Sequence, residues 1–113
     1  PEKLVVIGGG YIGLEMGSVW NRLGSKVTVV EFMDRLVPAM DHEMGAALMK
    51  ALTKQGINFK LSTKVTGIKE EKDKLILNLE DASGNKESLE ANTVLVAAGR
   101  RPYTQGLGLE KIG

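Results

Sequence analysis

No cysteine occurs among the 113 residues. Disulfides, thiolate metal sites and any redox dithiol carried by the chain itself are therefore excluded. Aromatic residues make up only 4% of the chain, too few for a platform on which nucleic-acid bases could stack. Net charge is nearly absent: 15 basic residues against 14 acidic ones leave +1. Such a balance gives no reason to expect a nucleic-acid or membrane partner. No apolar run is long enough to span a bilayer, and no segment reads as a signal or transit peptide. No metal-ligand cluster, paired carboxylates or nucleophile–base pair stands out, so neither a catalytic residue nor a metal site is expected. The one histidine, His42, falls in the first turn of an expected helix and is read as solvent-exposed.

What is present belongs to a globular domain. Hydrophobic residues are 42% and charged residues 26%, and the length suits one domain with a real core. The chain is organised around Val5-Val6-Ile7-Gly8-Gly9-Gly10-Tyr11-Ile12-Gly13-Leu14-Glu15. An apolar run ends in Gly8-x-Gly10-x-x-Gly13, the dinucleotide fingerprint. Gly8 lets the backbone turn out of a strand, Gly10 lets the main chain approach a pyrophosphate, and Gly13 lets the following helix pack on the strand. That helix offers its unpaired N–H groups and positive dipole end to phosphates. The motif alone is weak, but its context is complete. Lys3–Ile7 reads as a strand buried on both faces. Ile12, Met16, Val19, Trp20 and Leu23 recur at helical spacing as the apolar stripe. Lys26–Glu31 reads as a second strand closed by an acid, Glu31, which lies 23 residues after Gly8. A ribose-binding carboxylate of a βαβ unit belongs there.

Further along, residues 32–40 are expected to form a connecting loop. Asp41 is a good N-cap for a second helix whose stripe is Met44, Ala47, Leu48, Ala51 and Leu52. Ile57–Leu61 is a short third strand. The period then changes: residues 64–69, 75–80 and 86–90 read as antiparallel strands, and Thr93–Ala97 as a last apolar strand. These elements predict an α/β fold, a Rossmann-like βαβαβ parallel sheet with an inserted three-stranded antiparallel β-meander. The expected parallel order is 58–61, 26–31, 3–7, 93–97. Trp20 and the methionines are placed in the core by their spacing.

Glu31 also bears on the choice of cofactor. Its carboxylate can accept from both hydroxyls of an adenosine ribose and would repel a 2′-phosphate, and no Arg or Lys occupies 32–34. NAD is therefore expected over NADP. Glu15 is read either as a solvated helix-face acid or as a site residue, and Tyr11 either as a packing aromatic or as part of the loop. Arg100 and Arg101 are read as phosphate partners or as interdomain or solvent contacts.

At Val6–Trp20, Leu23–Phe32, Ser62–Gly67 and Val94–Tyr103 the chain closely resembles the NAD-binding domain of the dihydrolipoamide dehydrogenases, within the FAD-dependent pyridine nucleotide-disulfide oxidoreductases. The resemblance covers nearly the whole chain. It implies that Gly8, Gly9, Gly10, Tyr11, Ile12, Gly13, Leu14 and Glu15 cradle the pyrophosphate and lead toward the nicotinamide. It further implies that Glu31 holds the adenosine ribose, Val65 lines the adenine and Gly99 approaches the nicotinamide ribose. Tyr11 and Glu15 match an aromatic and an acid near the nicotinamide and flavin. In such a parent, dihydrolipoamide reduces a disulfide and electrons pass through FAD to NAD⁺. The implied partners are an FAD domain, a homodimer partner and the 2-oxo acid dehydrogenase or glycine cleavage complexes. The implied location is the mitochondrial matrix in a eukaryote or the cytoplasm in a bacterium.

The redox cysteines, FAD domain and His-Glu base of that family do not occur here, and the chain opens at Pro1 almost on a strand. Residues 1–113 are thus expected to be an NAD-binding domain from a longer flavoenzyme, binding NAD without catalysing. The alternatives are the same domain of a glutathione or mercuric reductase, a stand-alone nucleotide-binding or redox-sensing module, and a fingerprint that binds FAD itself.

Overall fold

Lys3–Ile7 forms the first strand, β1, inside a four-stranded parallel sheet. The computed structural model describes all 113 residues. The chain continues through α1 (Tyr11–Arg22), β2 (Lys26–Val30), α2 (His42–Lys54) and β3 (Asn58–Lys60). Three antiparallel strands follow: β4 (Thr63–Glu71), β5 (Lys74–Asp81) and β6 (Lys86–Ala91). Finally β7 (Thr93–Val96) pairs with β1 on the side away from β2. The parallel order is β3-β2-β1-β7 and the meander order β4-β5-β6, as the sequence predicts. The tail carries only a short 3-10 turn, Leu109–Lys111.

Successive strand residues point to opposite faces, and here both faces are covered. Leu4, Val6, Val27 and Val29 meet Leu14 of α1 and Leu52 of α2 in one core. Val5 and Val30 meet Leu77, Leu79 and Ala91 of the meander in a second. A strand sandwiched in this way has no solvent face, which is why β1 reads as an unbroken apolar run. Each of the valine and leucine side chains contributes about 1.5–3 kcal/mol on burial.

Three expectations about the helices need correction. The residues of α1 that turn to the sheet are Gly13, Leu14 and Gly17. Ile12, Met16, Val19, Trp20 and Leu23 remain exposed, Trp20 by 40% and Leu23 by 71%. Small residues set the buried face because they let the helix lie close to the strands: Gly17 stands against Val27 and Val6. Among the methionines only Met49 packs on the core, while Met16, Met33, Met40 and Met44 are exposed. In α2, Leu52 is buried and Leu48 half-buried, but Met44, Ala47 and Ala51 face solvent. Asp41 sits at the N-cap of α2 without a side-chain capping bond. In contrast, the loop residues Leu36 and Val37 are core.

Candidate functional site

The glycine loop is built by contacts that a side chain would destroy. Gly8 leaves β1 at φ +115°, and a Cβ there would overlap the Ala97 carbonyl, where the chain leaves β7. Its N–H donates to the Val30 carbonyl at 2.9 Å. A Cβ on Gly13 would overlap the Gly8 carbonyl, so the first turn of α1 rests directly on the bend. Gly10 differs: nothing lies within 4 Å of its Cβ position. It is the residue that opens outward.

At this bend the backbone donors are left over. The Leu14 N–H returns to the Gly10 carbonyl at 3.1 Å, but the N–H groups of Gly10, Tyr11, Ile12 and Gly13 have no hydrogen-bond partner in the protein. Gly10 is the N-cap of the 12-residue helix α1, without a side-chain cap, and no acid lies in the first turn. The positive end of the helix is uncompensated. Free donors and dipole together fit an anionic group.

Glu31 follows β2 directly and is 9% exposed. Its own N–H donates to the Lys60 carbonyl at 2.9 Å, and its carbonyl accepts from the Thr63 N–H at 3.0 Å. Its carboxylate is already engaged: Oε2 accepts the Gly9 N–H at 2.5 Å and Oε1 the Met33 N–H at 2.7 Å. Each oxygen has a further lone pair, so the group can accept from hydroxyls as well.

The predicted residues divide between two hollows flanking the loop. One, of about 190 Å³, gathers Gly8, Glu31 and Val65 together with Thr63 and Ala98. The other, of about 390 Å³, gathers Gly10, Tyr11, Ile12 and Gly99 with Val96 and Arg100. Gly99 is exposed at φ +138°. Four line neither hollow: Gly9, whose N–H is taken by Glu31, Gly13, which rests on the Gly8 carbonyl, and Leu14 and Glu15. Leu14 is buried in the helix-side core, which leaves only its backbone for a ligand. Glu15 is exposed and lines the groove between α1 and α2 with Met16 and Val37. Arg100 and Arg101 are exposed. Arg35 is occupied elsewhere, donating to the Pro38 carbonyl at 3.1 Å and meeting the ring of His42, which is exposed as expected. The chain holds no cluster able to bind a metal.

Sequence reasoning missed Leu36 and Val37, which cover the glycine loop. The Val37 N–H donates to the Gly9 carbonyl at 2.9 Å. Nothing in the sequence set this pair apart, because Phe32, Met33, Ala39 and Met40 of the same stretch are also apolar and only Asp34 and Arg35 are polar.

Comparison with known proteins shows the family. The pyridine nucleotide-disulphide oxidoreductase family matches residues 1–113. A dihydrolipoamide dehydrogenase of Chaetomium thermophilum is 60% identical over 100% of this chain and 23% of that protein. A mitochondrial dihydrolipoyl dehydrogenase of Pisum sativum is 55% identical over 100% of this chain and likewise 23% of its own length. Among solved structures, an NAD-dependent persulfide reductase from A. fulgidus shares 38% identity at a TM-score of 0.81, over 92% of this chain and 19% of that one. The chain spans about a quarter of the length of the curated relatives it matches.

Proposed function

The chain belongs to the pyridine nucleotide-disulphide oxidoreductase family, and from that premise we propose that it is the NAD(H)-binding domain of a dihydrolipoamide dehydrogenase. The observation that carries this reading is a nearly buried carboxylate, Glu31, packed beside a glycine bend that presents four unbonded N–H groups. The N–H groups of Gly10, Ile12 and Gly13 hold the pyrophosphate. Glu31 accepts from the adenosine ribose hydroxyls, Val65 lines the adenine, and Gly99 with Tyr11 faces the nicotinamide half. Glu15, one turn further along α1, lies toward the nicotinamide and flavin of the whole enzyme.

Three features support NAD over NADP. A carboxylate repels a 2′-phosphate. Phe32, Met33 and Asp34 supply no cation. The nearest arginine, Arg35, is bonded to the Pro38 carbonyl. In the whole enzyme dihydrolipoamide would be oxidised to lipoamide as it reduces an active-site disulfide, and a bound flavin would supply the redox chemistry by which the two electrons reach NAD⁺. This chain has no cysteine, so the disulfide belongs to a longer polypeptide. The FAD domain, a homodimer partner and the 2-oxo acid dehydrogenase or glycine cleavage complexes are the corresponding partners. Location follows the parent: mitochondrial matrix in a eukaryote, cytoplasm in a bacterium. No helix of the chain is long and apolar enough to cross a membrane.

The 38% identity to an NAD-dependent persulfide reductase favours a second reading, the same NAD(H) domain in another flavin disulfide reductase. Both readings share one test of the cofactor. Calorimetric titration is expected to show NADH bound at least about tenfold more tightly than NADPH, the effect of placing a phosphate dianion against Glu31. Equal affinities, or a preference for NADPH, contradict it.

A further inference from the structure

Gly9 is the one glycine to which the fingerprint gives no task. The structure holds it on three sides with a single strap of chain, residues 31–37. Its N–H donates to Glu31 Oε2 at 2.5 Å. Its carbonyl accepts the Val37 N–H at 2.9 Å. A Cβ would stand 2.8 Å from Leu36 Cδ2 and 3.1 Å from Glu31 Cβ, so a side chain there would have to push Leu36 and Glu31 aside.

The strap is itself fixed at both ends. The Glu31 backbone is bonded to Lys60 and Thr63, and its second carboxylate oxygen takes the Met33 N–H. Leu36 is buried, and its carbonyl lies 2.8 Å from where a Cβ of Gly45 would stand. Val37 is held at φ +41°. That is an outlying conformation for a β-branched residue, kept only where the surroundings over-determine it. In this conformation its N–H bonds Gly9. The Gly9–Glu31 bond is charge-assisted and buried, hence among the stronger hydrogen bonds of the chain.

We propose that Glu31 is the positioning residue of the glycine loop: acting with the strap to Val37, it fixes Gly9 in the free protein, so that the N–H groups of Gly10, Ile12 and Gly13 already stand in place when the phosphates arrive. The role rests on the nucleotide-binding reading above and adds to it. A ribose ligand acts only on nucleotides that carry the adenosine ribose. A positioning residue also acts on a ligand that lacks it, because the loop's ordering cost then falls on binding.

The test compares the wild-type chain with Glu31→Gln in two measurements. The first is amide hydrogen exchange without nucleotide, with the Val6 and Val29 amides as the control for folding. Gly9 is expected to exchange slowly in the wild type and about tenfold faster or more in the variant, while Val6 and Val29 are unchanged. The second is titration, by amide shifts, with nicotinamide mononucleotide, which has a phosphate but no adenosine ribose. Its Kd is expected to rise about fivefold or more in Glu31→Gln. If Glu31→Gln does not fold, Glu31→Asp carries the same comparison, with its charge drawn back by one methylene.

The proposal is overturned if Gly9 exchanges as fast as Gly10 in the wild type, or if its exchange is unchanged in the variant. It is also overturned if only NADH binding weakens while the mononucleotide is unaffected, or if the wild type binds NADH but not the mononucleotide. A wild type that binds neither ligand removes the nucleotide-binding reading itself, and the positioning role with it.

Discussion

Gly8 and Gly10 are two residues apart and carry opposite demands. Gly8 has φ +115° and no space for a Cβ, whereas Gly10 has φ −76° and open space around it. Gly8→Ala is therefore expected to destabilise the fold, with about 1–3 kcal/mol from the backbone conformation alone and more from displacing Ala97. Gly10→Ala is expected to keep full stability, or gain about 0.4–1 kcal/mol from a stiffer unfolded chain, and yet to weaken NADH binding. Paired denaturant melts and NADH titrations check this. A stable Gly8→Ala, or a Gly10→Ala that binds normally, contradicts it. The motif spacing alone told these two glycines apart. It could not tell that Gly9 lies under Leu36, because that contact joins residues far apart in sequence and leaves no periodic trace.

Elements were more legible than their faces. Strand β1 could be read directly, because Leu4–Ile7 has no polar position and such a run is buried on both sides. Helix α1 was found by its spacing and its bounds were nearly right, but the inward face is Gly13-Leu14-Gly17 and the predicted stripe faces out. Hydrophobicity ranks side chains by their gain on burial, whereas close approach to a sheet selects small ones. The consequence is measurable by chemical denaturation. Gly17→Val, whose branches would overfill the space at Val27 and Val6, is expected to cost about 1–3 kcal/mol. Leu23→Ser, at a residue 71% exposed, is expected to stay within about 0.5 kcal/mol. The reverse order would show that α1 is seated otherwise.

The meander allows a prediction about pH. Asp81 accepts from the Asn85 side chain and from the Asn85 and Ser83 N–H groups, each at 2.9 Å. These bonds, the Asn85 side chain first, hold its carboxyl below the usual carboxylate range. A lowered folded value means that the contribution is complete above the ordinary aspartate value of about 3.9 and is lost as pH falls through the folded one. The β5–β6 turn is thus expected to keep its amide protection at pH 6 and at pH 4, and to lose it only below that. An Asp81 midpoint at or above its ordinary value in a carboxyl NMR titration contradicts the assignment.

For the molecule as a whole, two cores share one sheet. The helix-side core and the meander-side core lie on opposite faces of β1 and β2, and the glycine loop leaves the carboxyl end of β1 between β2 and β7. Strand order, meander and fingerprint were all readable, because each depends on local period or on turn residues. The strap over the loop was not, because the connection 31–41 has no period to read and its burial is decided by contacts with Gly9 and Gly45. The family follows from the match over residues 1–113. What the domain does depends on the free donors at the bend.

Amide shift mapping of the isotope-labelled chain with NADH addresses those donors directly. The largest shifts are expected on Gly10, Ile12 and Gly13, with smaller ones at Val65 and Gly99, all saturating together as one site. Shifts confined to the α1–α2 groove or the meander tip, or none at the glycine bend, would contradict this expectation.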